Sequence, residues 1–211
     1  MVVADAGYGD NGLFRTALTT RGLDYVVQVK GLTSVHTGDV VFEVPDYAGF
    51  GRPTKPGYRT KPVQAQELAQ SLSLSQYRPV SWRQGSKGTL TSRFTAVRVR
   101  PATRNLPRND DGTLPACWLL VEWPSHAEAP TDYWLSTLPE DTPSETLVRL
   151  GKIRWRIEHD YRELKHGLGL DHFEGRHWLG WHHHTTLVTA AHLFVTEQRL
   201  AVTDPKAHGA V

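Results

Sequence analysis

Short apolar runs and longer amphipathic segments alternate along the 211-residue chain. Residues 2–4 and 24–30 have the apolar character of buried strands, and residues 11–20 between them have a helical pattern with a polar residue at its start. A strand, a helix and a second strand at this spacing predict a βαβ unit with two parallel strands.

The middle of the chain has a different pattern, in which short strand-like runs are separated by clusters of Pro, Gly, Asn and Asp. The predicted strands cover residues 40–44, 80–83, 94–100, 117–123 and 133–137. We interpret residues 33–140 as an antiparallel β-rich insertion. It contains a basic loop rich in Pro and Gly at residues 49–62 and a short helix at residues 64–74.

Helical periodicity returns after Pro143. With Ser144 as its N-cap, one helix is predicted to run to about residue 166 and to end at Gly167 and Gly169, and a last helix spans about residues 181–200. The predicted organisation is therefore a strand–helix–strand part at 1–32, the β-rich insertion at 33–140 and C-terminal helices at 141–211. The fold class is α/β of the mixed α+β kind.

Charge and cysteine content exclude several classes of protein. The net charge is only +2, so a strongly basic nucleic-acid binder is not implied, although local basic patches remain open. Cys117 is the single cysteine, which excludes a disulfide framework and a cysteine zinc site. We find no signal peptide and no apolar run long enough to cross a bilayer. We expect a cytoplasmic protein without a membrane partner.

Glu158 stands in a row of cationic residues. Arg154 precedes it by four positions and Lys165 follows it by seven, so on one continuous helix these residues and Tyr161 fall within about 60° of one another. Such a row offers an oxygen ligand to a hard cation, flanked by donors for phosphate oxygens. The alternative is an ordinary helix with i,i+4 ion pairs, from Arg154 to Glu158 and from Glu158 to Arg162.

Asp5 is the second candidate. It follows the first predicted strand, at the end of a parallel strand where open α/β sheets bind their ligands. The alternative is a turn residue that ends the strand. Two carboxylates from separate elements, such as Asp5 and Glu158, can share divalent ions in phosphoryl transfer.

The sequence around these two carboxylates resembles a known family. The run Val-Val-Ala-Asp-Ala-Gly-Tyr-Gly containing Asp5, and Arg-Trp-Arg-Ile-Glu with Lys165 beyond it, resemble the second and third acidic blocks of bacterial insertion-sequence DDE transposases. The resemblance extends over nearly the whole chain and includes residues 171–176. It implies a ribonuclease H-like fold with a β-strand insertion before the last acidic helix.

The chain departs from the family pattern at two points. The family signature has a tyrosine three residues before the arginine, where this chain has Gly151. The family also carries a first aspartate on an earlier strand, whereas only four residues precede Asp5. The resemblance therefore implies a C-terminal fragment with an incomplete catalytic domain.

The resemblance also implies a function. Asp5 and Glu158 would coordinate Mg²⁺ or Mn²⁺, and Arg154, Arg162 and Lys165 would contact DNA phosphates during strand cleavage and strand transfer. The implied partners are transposon ends, target DNA and further copies of the chain on that DNA, in the nucleoid. Without the first aspartate we expect no activity from this chain alone. The alternative is a non-catalytic DNA-binding remnant that interferes with a full-length transposase.

Three further features have two interpretations each. Trp134 resembles in context a tryptophan that related transposases stack on an extruded base, but core packing of a strand is the preferred interpretation. Arg52 in Gly-Arg-Pro resembles a minor-groove hook, and the alternative is a basic linker. A metal hydrolase with a histidine cluster is a third candidate function, although surface or core roles are preferred for its members, His182, His183, His184 and His192.

Overall fold

A computed structural model of the protein describes residues 1–47, 49–85 and 88–203. It divides into two compact units between Arg154 and Trp155. All the described strands lie in the first unit, and the second unit is helical. Among the described residues, no helix has both the length and the apolar character that a membrane span requires.

The first unit alternates short helices with strands. Its helices are α1 (Ala6–Gly9), α2 (Gly12–Thr20), α3 (Ala65–Ser71) and α4 (Ser144–Gly151), with a 3₁₀ turn at Leu74–Gln76. Its strands are β1 (Val2–Ala4), β2 (Tyr25–Val29), β3 (Ser34–Thr37), β4 (Phe42–Glu43), β5 (Gly57–Tyr58), β6 (Val63–Gln64), β7 (Arg78–Gly85), β8 (Gly88–Pro101), β9 (Cys117–Trp123) and β10 (Asp132–Ser136).

Eight of these strands form one sheet in the order β1-β2-β10-β9-β8-β3-β6, and β7 also pairs with β8. β1 and β2 are parallel, with Val3 opposite Val26, and the other pairs in the sheet are antiparallel. The predicted parallel βαβ unit and the mixed α/β fold class are therefore confirmed. The arrangement is consistent with a partial ribonuclease H-like domain.

Both faces of β2 are buried, which explains its nearly continuous apolar run. Adjacent side chains of a strand point to opposite faces. Val27 accordingly packs with Leu18 of α2 and Ala69 of α3, whereas Val26 packs in a second cluster that includes Leu147 of α4. Helices thus cover the sheet on its two sides, as expected for a strand without a solvent face.

Two predicted elements are shorter than expected. The helix at residues 64–74 is confined to α3, and the strand at 40–44 is only β4, which pairs with β5 in a separate two-stranded sheet. β3 was not predicted, because its sequence Ser-Val-His-Thr has no apolar run. α2 begins as predicted, since the Asn11 side chain accepts a hydrogen bond of 2.9 Å from the Leu13 N–H.

The prediction of one continuous helix from 144 to 166 is wrong. The N-cap of α4 is Pro143 rather than Ser144, and α4 ends at Gly151. A turn follows at residues 152–154. The second unit then begins with α5 (Trp155–Arg162), a π-helical segment (Glu163–Gly167) and α6 (Trp178–Thr203). Arg154 therefore lies in the turn, and the predicted row of charges on a single helix does not form.

Packing against the sheet gives a physical reason for the break. A Cβ atom at Gly151 would lie 3.3 Å from Cδ2 of Leu120 and 3.4 Å from the Trp134 ring, so the end of α4 sits directly on the sheet. The next residue, Lys152, forms an ion pair with the carboxylate of Glu122, whose side chain is 5% exposed. The Lys152 ammonium also lies 5.2 Å from the ring centroid of Trp82 and 5.2 Å from that of Trp134.

We expect Lys152→Ala to destabilise the protein by about 3–5 kcal/mol, because it leaves the buried Glu122 carboxylate without its partner. The matched control is the double variant Lys152→Met/Glu122→Gln, which removes both charges and should be clearly more stable than the single variant. Urea unfolding measures both free energies. A single variant as stable as the wild type would contradict the anchoring role of this pair.

Candidate active site

Asp5 lies between β1 and α1, at the carboxyl end of a parallel strand as predicted. Its Oδ1 atom accepts hydrogen bonds from the N–H groups of Gly7 and Tyr8, at 3.0 Å and 3.4 Å. Asp5 is therefore the N-cap of α1. This capping contact agrees with the alternative interpretation of Asp5 as a turn residue. It involves Oδ1 only, and Oδ2 makes a different contact.

That second oxygen, Oδ2, lies 3.4 Å from a guanidinium nitrogen of Arg154. The turn after α4 therefore brings Arg154 to Asp5, although the helix that was expected to carry the arginine is interrupted. The two side chains are 52% and 31% exposed, so the pair contributes little to stability. A solvent-accessible carboxylate beside an arginine is nevertheless suited to a phosphate-bearing substrate with a bound cation.

A close backbone approach holds α1 against β2. A Cβ atom at Gly9 would lie 1.9 Å from the carbonyl oxygen of Gln28, so only glycine fits there. The buried Arg15 guanidinium donates to the Gly9 carbonyl, and Asp10 accepts a hydrogen bond of 2.7 Å from the Lys30 N–H. These contacts at the end of α1 attach the turn that carries Asp5 to the sheet.

Glu158 belongs to the second unit, where it is an exposed residue in the first turn of α5. Arg162, at the end of α5, is also exposed. Lys165 lies in the π-helical segment, with its ammonium 4.6 Å from the ring centroid of Tyr161. π-Helical segments occur frequently at functional sites, and this one directly follows the helix of Glu158.

A polar network around Glu163 was not predicted. Arg199 of α6 donates two hydrogen bonds to the Glu163 carboxylate, at 2.7 Å and 3.0 Å, and Nε2 of His192 lies 3.4 Å from it. The hydrogen bond from Arg199 is the main reason why the pKa of Glu163 lies below its usual value. Ligand atoms of His159, Asp160 and Glu163 lie within 4.8 Å of one another. The only sequence signal was the i,i+4 spacing of His159 and Glu163.

The histidines at the start of α6 have structural contacts. Nε2 of His184 lies 3.0 Å from the Gly169 carbonyl oxygen, and its ring packs at 5.4 Å from that of Phe173. The ring of His182 packs at 4.4 Å from that of Trp178. These contacts agree with the preferred interpretation of surface and core histidines. The stretch at residues 171–176 contributes Phe173 to this packing.

Trp134 and Arg52 lie in contrasting surroundings. Trp134 is 4% exposed and packs in the second core cluster, in line with the preferred interpretation of core packing. Its role in base stacking stays a prediction. Arg52 is exposed in the described part of the basic loop, beside Gly51 with a φ of +73°. The minor-groove role of Arg52 also stays a prediction.

Residues 1–89 match the family model of the DDE superfamily endonucleases. This part of the chain is similar to DDE superfamily endonucleases. It contains Asp5 and the whole parallel unit from β1 to β2, so the predicted relationship to DDE transposases is confirmed. The match ends before Glu158, whose role stays a prediction. No curated protein matches the chain significantly.

DDE endonucleases act on DNA and generally use divalent metal ions. The chemistry of the donors in this chain fits such an ion, because Asp5 and Glu158 both offer carboxylate oxygens, the ligands preferred by hard divalent cations. One oxygen of Asp5 is held by backbone N–H groups, which leaves Oδ2 as the atom for a metal. Arg154, which lies 3.4 Å from the same oxygen, is a donor suited to a phosphate oxygen.

We expect Gly9→Ala to destabilise the protein by about 3 kcal/mol, the upper end of what overpacking costs. The added methyl group would push α1 away from Gln28 and displace the turn of Asp5. Gly57→Ala is the matched control, since nothing lies within 4 Å of a Cβ there, and it should change stability by less than about 0.5 kcal/mol. Equal losses in thermal unfolding would contradict the close-approach argument.

Proposed function

We propose that this chain acts as part of a DNA transposase that cuts and joins DNA strands, with Asp5 and Glu158 as two of its metal ligands. The observation that carries the proposal is the position of Asp5. It stands at the carboxyl end of β1, inside the segment that matches the DDE endonucleases, with Arg154 at 3.4 Å. Open α/β sheets bind ligands at this end of their strands.

Each residue has a separate part in this proposal. Asp5 and Glu158 together would hold Mg²⁺ or Mn²⁺. When bound, such an ion supplies charge neutralisation at a phosphodiester and activation of a nucleophile. Arg154, Arg162 and Lys165 donate hydrogen bonds to phosphate oxygens, and Arg154 does so from the position beside Asp5. The helix cap orients the Asp5 carboxylate before any substrate arrives.

The proposed partners are transposon ends and target DNA, bound by more than one copy of the chain in the nucleoid. An insertion-sequence origin follows from the resemblance of the Arg–Glu–Lys spacing. The site of that family uses three carboxylates, and Asp5 and Glu158 account for two. Strand cleavage in this proposal therefore needs a third carboxylate besides Asp5 and Glu158.

A second candidate function is interference with a full-length transposase through DNA binding alone. The exposed basic loop with Arg52 supports this candidate, because phosphate contacts do not require the metal site. The two candidates differ in their dependence on Asp5. Catalysis requires its carboxylate, whereas interference by DNA binding does not.

The Asp5→Asn variant should separate the helix-capping role of Asp5 from its proposed role as a metal ligand. Asn caps helices as well as Asp does, so stability should change by less than about 0.5 kcal/mol, whereas Asp5→Ala should cost about 1 kcal/mol. Both variants should lose Mn²⁺ binding, measured by electron paramagnetic resonance of the free ion. Unchanged Mn²⁺ binding in Asp5→Asn would reject Asp5 as a ligand. Interference that persists in Asp5→Asn would favour the second candidate.

Arg154→Gln should weaken DNA binding about equally across sequences and reduce the slope of log affinity against log salt concentration by about 1, the loss of one phosphate contact. Arg149→Gln is the matched control, since Arg149 is an exposed arginine on α4 in the same unit. Fluorescence anisotropy with labelled transposon-end DNA measures both slopes. The same slope for Arg154→Gln and the wild type would exclude a phosphate contact of Arg154.

A further inference from the structure

We propose that His159, Glu163 and His192 form a binding site for a divalent transition metal ion such as Zn²⁺, in the second unit and separate from the ligands Asp5 and Glu158. This site does not depend on the proposed function. It would join the end of α5 and the π-helical segment to α6. Asp160 lies beside it and can supply an oxygen as the fourth ligand.

Distances between the ligand atoms support the proposal. Oε2 of Glu163 and Nε2 of His192 are 3.4 Å apart. Zinc bonds of about 2.0–2.2 Å in a tetrahedron place neighbouring ligand atoms about 3.4 Å apart, so this pair already has the required spacing. Ligand atoms of His159 and Asp160 lie within 4.8 Å of a Glu163 oxygen, close enough for side-chain rotation to complete the set.

The buried nitrogen of His192 also indicates a ligand. Within the described residues, Nε2 of His192 is a buried atom for which no hydrogen-bond partner is found. Buried side-chain nitrogens are normally hydrogen-bonded, and one without a partner requires an explanation. This nitrogen is directed at the Glu163 carboxylate, where a metal ion would bind both atoms.

Helix geometry separates this site from Glu158. At helical spacing, His159 and Glu163 are about 40° apart around the axis, whereas Glu158 is about 140° from Glu163. The donor types differ as well. Two imidazoles with carboxylates favour Zn²⁺, Co²⁺ or Ni²⁺, whereas an all-carboxylate site favours Mg²⁺ or Mn²⁺.

Arg199 is the competitor at this site. Its guanidinium donates two hydrogen bonds to Glu163 and thus supplies the positive charge that a metal ion would bring. The Arg199 side chain is 61% exposed, so it can turn toward solvent when an ion binds. Removing this arginine should therefore strengthen metal binding, the opposite of what loss of a merely structural ion pair would do.

Co²⁺ titration of the untagged full chain tests the site, because tetrahedral Co²⁺ has a strong visible absorption band, and Zn²⁺ competition then gives its affinity. We expect one equivalent to bind in excess Mg²⁺. His192→Ala and Glu163→Gln should each weaken Co²⁺ binding by at least about tenfold. Loss of a residue that only supports a metal ligand already lowers metal affinity by about this factor. His184→Ala is the control and should bind normally, since His184 contacts the Gly169 carbonyl.

Arg199→Gln should bind Co²⁺ more tightly than the wild type does. Unfolding cannot produce this result, because it would remove the site. Absence of the visible band in the wild type would overturn the proposal. So would equal affinities of the wild type, His192→Ala and Glu163→Gln, which would indicate ions on other surface histidines. Weaker binding in Arg199→Gln would also overturn it.

Discussion

The pairing of β2 on both of its edges is the constraint on which the first unit depends. One edge pairs in parallel with β1, and the other pairs antiparallel with β10, where Leu135 lies opposite Val27. The same strand accepts the close approach of Gly9 through the carbonyl oxygen of Gln28. β2 thus connects the segment of the DDE match that carries Asp5 to the antiparallel strands that follow it in the sheet.

A second constraint operates on the other side of the sheet. The buried pair of Lys152 and Glu122 fixes the turn after α4, and the next residues of that turn bring Arg154 to Asp5. Burial of an ion pair costs desolvation, which good geometry and aromatic neighbours offset only in part. Such a pair contributes more to the position of the turn than to the stability of the fold.

Local patterns were sufficient to predict most of the first unit. The apolar runs of β1, β2, β9 and β10 and the N-cap of α2 are recognisable because neighbouring residues determine them. The helix break after Gly151 was not predictable, because its causes are contacts with Leu120, Trp134 and Glu122, which lie far away in sequence. β3 was missed because four residues with one aliphatic side chain have no detectable period.

Part of the candidate site was predicted from the sequence, but the structural basis differs in part from the one that was expected. Asp5 lies where the strand pattern placed it, whereas Arg154 reaches Asp5 from a turn and not from a helix face. The contacts of Glu163 with His192 and Arg199 join two helices across a long connection. No spacing rule within a single helix relates such residues. Their proximity is therefore recognisable only in the three-dimensional structure.

The packing of Gly151 on Trp134 limits the side chains that position 151 can hold. The indole occupies the volume that a side chain at position 151 would need, with its nearest ring atoms at 3.4 Å from a Cβ there. The family signature that the chain resembles has a tyrosine at this position. A large side chain at 151 would therefore have to displace the Trp134 ring or lift the end of α4 from the sheet.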